Sequence, residues 1–429
     1  MANRRRAEES MASVNLSDRR RFLRWLAASP VLASAGLTAA WFEELLGAQL
    51  PAAEERAVLI KSIREALNVF DFRTVAKAKL NVAHFTEFDE GVFNEETQRA
   101  DREAYSRYQI RMRRLTGITK VDQSIQLYGR TWESPLYLCP VGRLRAVHPD
   151  GNLAVAPAAR NTRTLEIMSG VQDLDKVNMR RGEPVWISGG RPSRETLARL
   201  ESVGTPAYVW TVDTNGGGNQ IGARAVQRAG VADLERRNDV RCNSCHDSEG
   251  RITLSDSMGA VMGALGSLRD SDTSTWADLK RVRDMTTMRL ILKGIVTAED
   301  AELALKTGVD GVMVSTHAAH EDASGRGSLD ALPEVVAAVG NKMTVFLDSG
   351  IRSGADMFKA LALGASAVGI GRAQAWALAA FGTDGVETVI EMLRRELQAT
   401  MAQAAAPSIG RIAKTMLVER RPPATTRHF

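Results

Sequence analysis

The chain has 429 residues, 44% of them hydrophobic, with 35 glycines. That is enough for a large core, and one α/β barrel of about 250 residues with additions fits the length as well as two domains do. The net charge of +5 is concentrated: residues 1–24 hold seven arginines against Glu8, Glu9 and Asp18, which leaves the rest nearly neutral. With no basic stripe interleaved with aromatics, the reading excludes nucleic-acid binding.

The first predicted element is a targeting segment over residues 1–45. Arg19-Arg20-Arg21-Phe22-Leu23-Arg24 is similar to a twin-arginine export signal, and a stretch of small apolar residues interrupted by Pro30 follows it. That stretch is short for a membrane span. The pattern predicts export of a folded protein to the periplasm, with the segment either cleaved or kept as a membrane anchor. The competing reading is a basic amphipathic surface helix.

Residues 52–125 form the next unit, predicted helical because apolar residues recur at spacings of three and four, as in "EERAVLIKSIREALNVFDFRTVAKAKL". From residue 126 to 415 short apolar runs alternate with amphipathic stretches. The runs cover 134–142, 164–170, 184–190, 207–214, 289–295, 309–317, 343–350 and 365–373. Eight such units imply parallel strands with crossover helices, hence a (β/α)₈ TIM barrel with an N-terminal helical extension. A long loop, 215–275, separates the fourth and fifth runs, and residues 416–429 are expected to be an extended tail.

In a barrel the chemistry gathers where strands end. Those ends carry Asp213, Lys293, His317, Asp348 and Arg372. Packing alone does not call for titratable groups after five apolar runs. The last two ends read "LDSGIRSGAD" and "GIGRA". Glycines admit backbone N–H groups close to an anion and arginines add bidentate charge, so Ser349, Gly350, Arg352, Gly371 and Arg372 are expected to hold a phosphate.

The segments "VWTVDT", "LILKGI", "VMVSTH" and "FLDSGIRSGADMFKALALGASAVGIGR" resemble the FMN-dependent 2-hydroxy-acid oxidases and dehydrogenases, over roughly residues 70–415. The resemblance implies an FMN-binding barrel that oxidises a hydroxyl group to a carbonyl. It implies that His317 is the base and that Asp213 orients it, and an imidazole paired with a buried carboxylate suits that work. It places Lys293 beside the flavin, where positive charge favours the reduced ring. Ser169 and Thr211 would bond the ring, with Pro140, Val141 and Gly142 lining it. Asp348, Ser349, Gly350, Arg352, Gly371 and Arg372 would hold the ribityl chain and phosphate.

The departures concern the substrate. The family clamps a substrate carboxylate with two arginines and usually a tyrosine. Those positions fall on His320, Gln220 and Phe88, and a further Gln-x-Tyr falls on Ser188 and Gly190. Losing two arginine contacts removes several kcal/mol of carboxylate binding. Poor turnover of lactate and glycolate is therefore expected, with a bulkier alcohol or a differently held hydroxy acid as substrate. A protein that has lost the clamp could instead be a non-catalytic flavin-binding electron carrier.

Cys242-x-x-Cys245-His246 has the spacing of a c-type haem attachment site. Without a visible cytochrome module, three readings stand: covalent haem, a local disulfide or free thiols, and a metal site. The third cysteine, Cys139, sits in an apolar run and reads as core. With an export signal, a cytochrome or quinone is the expected electron acceptor, favouring a dehydrogenase over an oxidase. A homo-oligomer is expected from the resemblance.

Overall fold

The computed structural model describes residues 59–80, 82–214, 221 and 274–420. The export segment, Gln220 and Cys242, Cys245 and His246 lie outside the described residues.

Three helices come first: α1 (Val69–Lys79), α2 (Val82–Asp89) and α3 (Glu96–Ser106). α1 starts with a capping box, in which Asn68 and Asp71 satisfy each other's backbone N–H groups. The helical expectation for 52–125 needs one correction. Tyr108–Ile110 is a strand, β1, and Ile125–Leu127 is another, β2, pairing with β3 (Arg130–Trp132). β1 pairs antiparallel with β12 (Leu417–Glu419), so the predicted tail begins as a strand clasped to the extension.

The eight predicted runs each contain one barrel strand: β4 (Leu136–Leu138), β5 (Leu165–Ser169), β6 (Trp186–Gly189), β7 (Ala207–Thr211), β8 (Arg289–Lys293), β9 (Gly311–Val314), β10 (Thr344–Leu347) and β11 (Ala367–Ile370). They close in the order β10-β11-β4-β5-β6-β7-β8-β9, all neighbours parallel. Such strands are buried on both faces, which is why each reads as a continuous apolar run. Tyr137, Ile167, Trp186, Val209, Ile291, Met313 and Phe346 fill the interior. Phe346 meets Tyr137 and Trp186 edge-on, at 5.7 and 6.1 Å between ring centres. The β2–β3 hairpin adds Leu127 and Trp132 to this cluster.

The crossover helices after the first six strands are α4 (Asn152–Asn161), α5 (Leu174–Arg181), α6 (Arg194–Ser202), α7 (Trp276–Arg283), α8 (Ala298–Thr307) and α9 (Ser328–Val339). α10 (Gly354–Ala362) follows β10, and α11 (Arg372–Ala404), kinked at Phe381 and Gly382, follows β11. None of the described helices is long and apolar enough to cross a membrane.

The extension is hooked onto the barrel by α3. Asp101 is buried and accepts from Thr316 Oγ1 at 2.7 Å and from the Ser328 N–H at 2.9 Å. Burial pushes its pKa up to about 7, against these hydrogen bonds and the charge of Arg372. Between pH 4 and 7 the folded protein therefore holds a proton that the unfolded chain has released. Stability from this group falls as pH rises through that window and is constant above it. Urea unfolding at pH 5.0 and 7.5 should show a smaller pH difference in Asp101→Asn than in the unaltered protein.

Candidate active site

The site is built at the C-terminal ends of the barrel strands. Two residues beyond β7, Asp213 turns inward. Its Oδ1 lies 2.8 Å from His317 Nδ1, and its Oδ2 lies 3.4 Å from Lys293 Nζ at the end of β8. Burial by itself would raise the Asp213 pKa, but the charges of Lys293 and His317 and their hydrogen bonds win, holding it at about 2. The carboxylate favours the His317 tautomer that carries its proton on Nδ1, leaving Nε2 able to accept. Gly294 makes this possible: it sits at φ 104°, and a Cβ there would lie 2.5 Å from Asp213 Cβ.

His317 is presented by an unusual turn. His317, Ala318 and Ala319 have φ of 53°, 55° and 62°, three consecutive non-glycine residues in the left-handed region. Each costs roughly 1–2 kcal/mol, so the surroundings must impose the shape. Ser315 Oγ accepts from the His317 N–H at 3.1 Å, and Ser349 Oγ from the Ala318 N–H at 3.2 Å. Both hydroxyls donate to Asp348 Oδ1, at 2.6 and 2.9 Å. One carboxylate oxygen thus anchors both serines that shape the turn. The other, Asp348 Oδ2, is buried and has no hydrogen-bond partner among the described residues.

Beyond Asp348 the backbone stays left-handed at Ser349 and Gly350, with φ of 73° and 80°. A Cβ at Gly350 would lie 2.2 Å from the Asp101 carbonyl, so α3 can pack here only against glycine. Arg372 opens α11. Its Nε donates to the Phe88 carbonyl, and its Nη2 to the Glu90 carbonyl and Gln98 Oε1. Arg352 lies with its guanidinium 4.8 Å from the centre of the Trp376 ring. Burial, with Arg102 and Arg372 adding to it, lowers the Arg352 pKa to about 9.

One cleft brings most of the predicted residues together. Phe88, Pro140, Val141, Gly142, Lys293, His317, His320, Asp348, Ser349, Gly350, Arg352, Gly371 and Arg372 all line it. Ser169 and Thr211 end β5 and β7 beside it but do not line it. Thr211 Oγ1 instead lies 3.0 Å from Ser188 Oγ and faces a neighbouring hollow. His320 is partly buried, and burial, then the charges of Arg372, His317, Arg143 and Lys293, push its pKa well below the ordinary value.

Residues 76–419 match the model of the FMN-dependent dehydrogenase family. The chain belongs to that family. A peroxisomal (S)-2-hydroxy-acid oxidase of Oryza sativa subsp. japonica is 35% identical over 359 residues, covering 81% of this chain and 95% of the relative. A peroxisomal (S)-2-hydroxyacid oxidase of Arabidopsis thaliana is 32% identical, covering 82% and 96%. Among solved structures, mandelate oxidase superposes at TM-score 0.70 with 30% identity, covering 82% of this chain and 98% of that one. A mutant flavocytochrome b2 with pyruvate bound gives TM-score 0.72, covering 83% and 87%; at 24% identity it speaks for the fold alone.

The residues fit the family's cofactor on physical grounds. FMN carries a phosphate dianion, and two arginines in one cleft, Arg372 buried and Arg352 partly so, both have pKa values lowered by burial and form no ion pair among the described residues. The start of α11 adds a helix N-terminus at the same place. The unpartnered Asp348 Oδ2 suits a ribityl hydroxyl donor.

The sequence reading missed Glu87 and Arg143, which line the cleft as an ion pair with Nη2 and Oε1 2.5 Å apart. It also missed Asp101, although a carboxylate on the buried stripe Thr97, Ala100, Asp101, Ala104 and Tyr105 of α3 is a legible signal.

Asp213→Asn keeps the shape but removes the charge facing His317 and Lys293. Stopped-flow flavin reduction should slow by about 10²–10⁴-fold with FMN still bound. Gly294→Ala should slow it by on the order of 10²-fold by displacing Asp213.

Proposed function

We propose that this FMN-dependent family member oxidises the hydroxyl of an α-hydroxy substrate, a 2-hydroxy acid or a bulkier alcohol, to a carbonyl. The observation that carries the reading is the 2.8 Å contact between Asp213 and His317 at the strand ends. Bound FMN supplies the two-electron acceptor. His317 Nε2 takes the hydroxyl proton. Asp213 fixes the ring's tautomer and, held ionised by Lys293, compensates the imidazolium that results. Lys293 lines the cleft and brings positive charge to it, which favours a reduced, anionic ring. Arg352, Arg372, Gly350, Gly371 and Ser349 hold the phosphate end and Asp348 the ribityl chain. Pro140, Val141 and Gly142 would line the ring, while Ser169 and Thr211 lie beside the cleft.

Mandelate oxidase and the (S)-2-hydroxy-acid oxidases support an α-hydroxy substrate. One solved relative is an arginine-to-leucine variant of mandelate oxidase with 2-hydroxy-phenylacetamide. In this chain Gln220 and His320 stand where the resemblance expects clamp arginines, so lactate and glycolate are poor substrates. The chain works as a periplasmic dehydrogenase exported through its arginine-rich N-terminus. Electrons leave to a c-type haem, at Cys242, Cys245 and His246 or on a partner, or to a quinone. Arg19-Arg20 and the Cys-x-x-Cys-His spacing support this reading.

Two measurements test it. His317→Ala should retain FMN but lose at least 10²-fold in anaerobic flavin reduction by an α-hydroxy substrate. Undiminished reduction would remove His317 as the base. The absorption spectrum of exported protein should show an acid-releasable yellow chromophore. A red chromophore that stays with the acid-precipitated chain would put haem on Cys242 and Cys245, and its absence would put the acceptor on a partner.

A further inference from the structure

We infer that the cleft selects α-hydroxy compounds whose neighbouring carboxyl group is uncharged, a carboxamide or ester, over those carrying a free carboxylate. The inference rests on the proposed reading of His317 as the base and names the substrate class for that site.

The argument is one of charge accounting. A free carboxylate is bound tightly where a cation stands uncompensated. Two cations that line the cleft already have an anion. Arg143 is paired with Glu87 and Lys293 with Asp213. Burial and the cations around His320 push its pKa down, which disfavours a charged ring there. Arg352 and Arg372 line the same cleft, and there the phosphate of bound FMN would compensate them. An entering carboxylate would share Arg143 with Glu87, like charge against like charge. This arrangement discriminates by penalising the charged ligand.

An uncharged carbonyl meets no such penalty. A guanidinium has five N–H donors, so Arg143 can keep Glu87 and still donate to a carbonyl oxygen. The neutral His320 ring offers one donor and one acceptor, and the Glu87 carboxylate is a further acceptor. A carboxamide, with one acceptor and N–H donors, matches that set; an ester matches the carbonyl part of it. In the reaction the carbinol C–H bond breaks and its hydrogen leaves with two electrons to the flavin. The hydroxyl proton passes to His317 Nε2 and the C–O bond becomes a carbonyl, so a 2-hydroxy amide yields a 2-oxo amide.

The test uses the FMN-loaded full-length protein under anaerobic conditions. Flavin bleaching is followed with mandelate, mandelamide and methyl mandelate, and binding through the flavin absorbance change on adding benzoylformate or benzoylformamide. The second-order bleaching constant should be at least 10-fold higher for the amide and ester than for the acid, and benzoylformamide should bind more tightly than benzoylformate. Glu87→Gln frees Arg143 and should shift the acid-to-amide ratio at least 10-fold toward the acid. A wild-type protein that prefers the acid overturns the inference and leaves the hydroxyl-oxidation reading in place. If acid, amide and ester all fail to bleach a flavin that dithionite reduces, both fall. The wild-type comparison decides the matter whether or not the variant folds.

Discussion

Asp213 is the group on which the site depends. It is a single carboxylate in a largely enclosed place, and it survives as an anion because Lys293 and His317 approach it from two neighbouring strands. Burial opposes the charge, and the two partners together outweigh it. The barrel supplies the geometry: β7, β8 and β9 are adjacent, and their ends bring three residues spread over 105 positions of sequence within hydrogen-bond range. The missing Cβ at Gly294 then lets the aspartate lie flat against the backbone.

A second carboxylate organises the other half. Asp348 Oδ1 receives two serine hydroxyls, which in turn hold three left-handed residues under the histidine. The catalytic candidate and the candidate ribityl ligand are thus mechanically one unit. A change at one is felt at the other through Ser315 and Ser349, across distances shorter than a side chain.

Much of this was legible in the sequence because a parallel barrel writes itself plainly. Strands buried on both faces leave unbroken apolar runs, and titratable residues at their ends stand out against that background. All eight runs contain a barrel strand, and the phosphate-like "DSG" and "GIGR" turns lie in the cleft. What escaped are features made by distant parts of the chain meeting. Glu87 and Arg143 come from the extension and from the loop after β4, and neither position signals the other. The β1–β12 clasp pairs Tyr108–Ile110 with Leu417–Glu419, two short segments of unremarkable composition. The left-handed turn at His317–Ala319 contains no glycine to announce it.

The extension has a consequence for how the protein is made. α2 and α3 wall the cleft through Phe88 and Arg372, and through Asp101 against Gly350 and Thr316. The earliest described part of the chain therefore completes a pocket whose other wall is among the last to leave the ribosome. α3 can settle once Thr316 and Ser328 have emerged, α2 gains its Arg372 contact later, and β1 has no strand partner until residue 419 emerges. A chain cut short before Arg372 would lack the contact between Phe88 and the start of α11 that closes this side of the cleft.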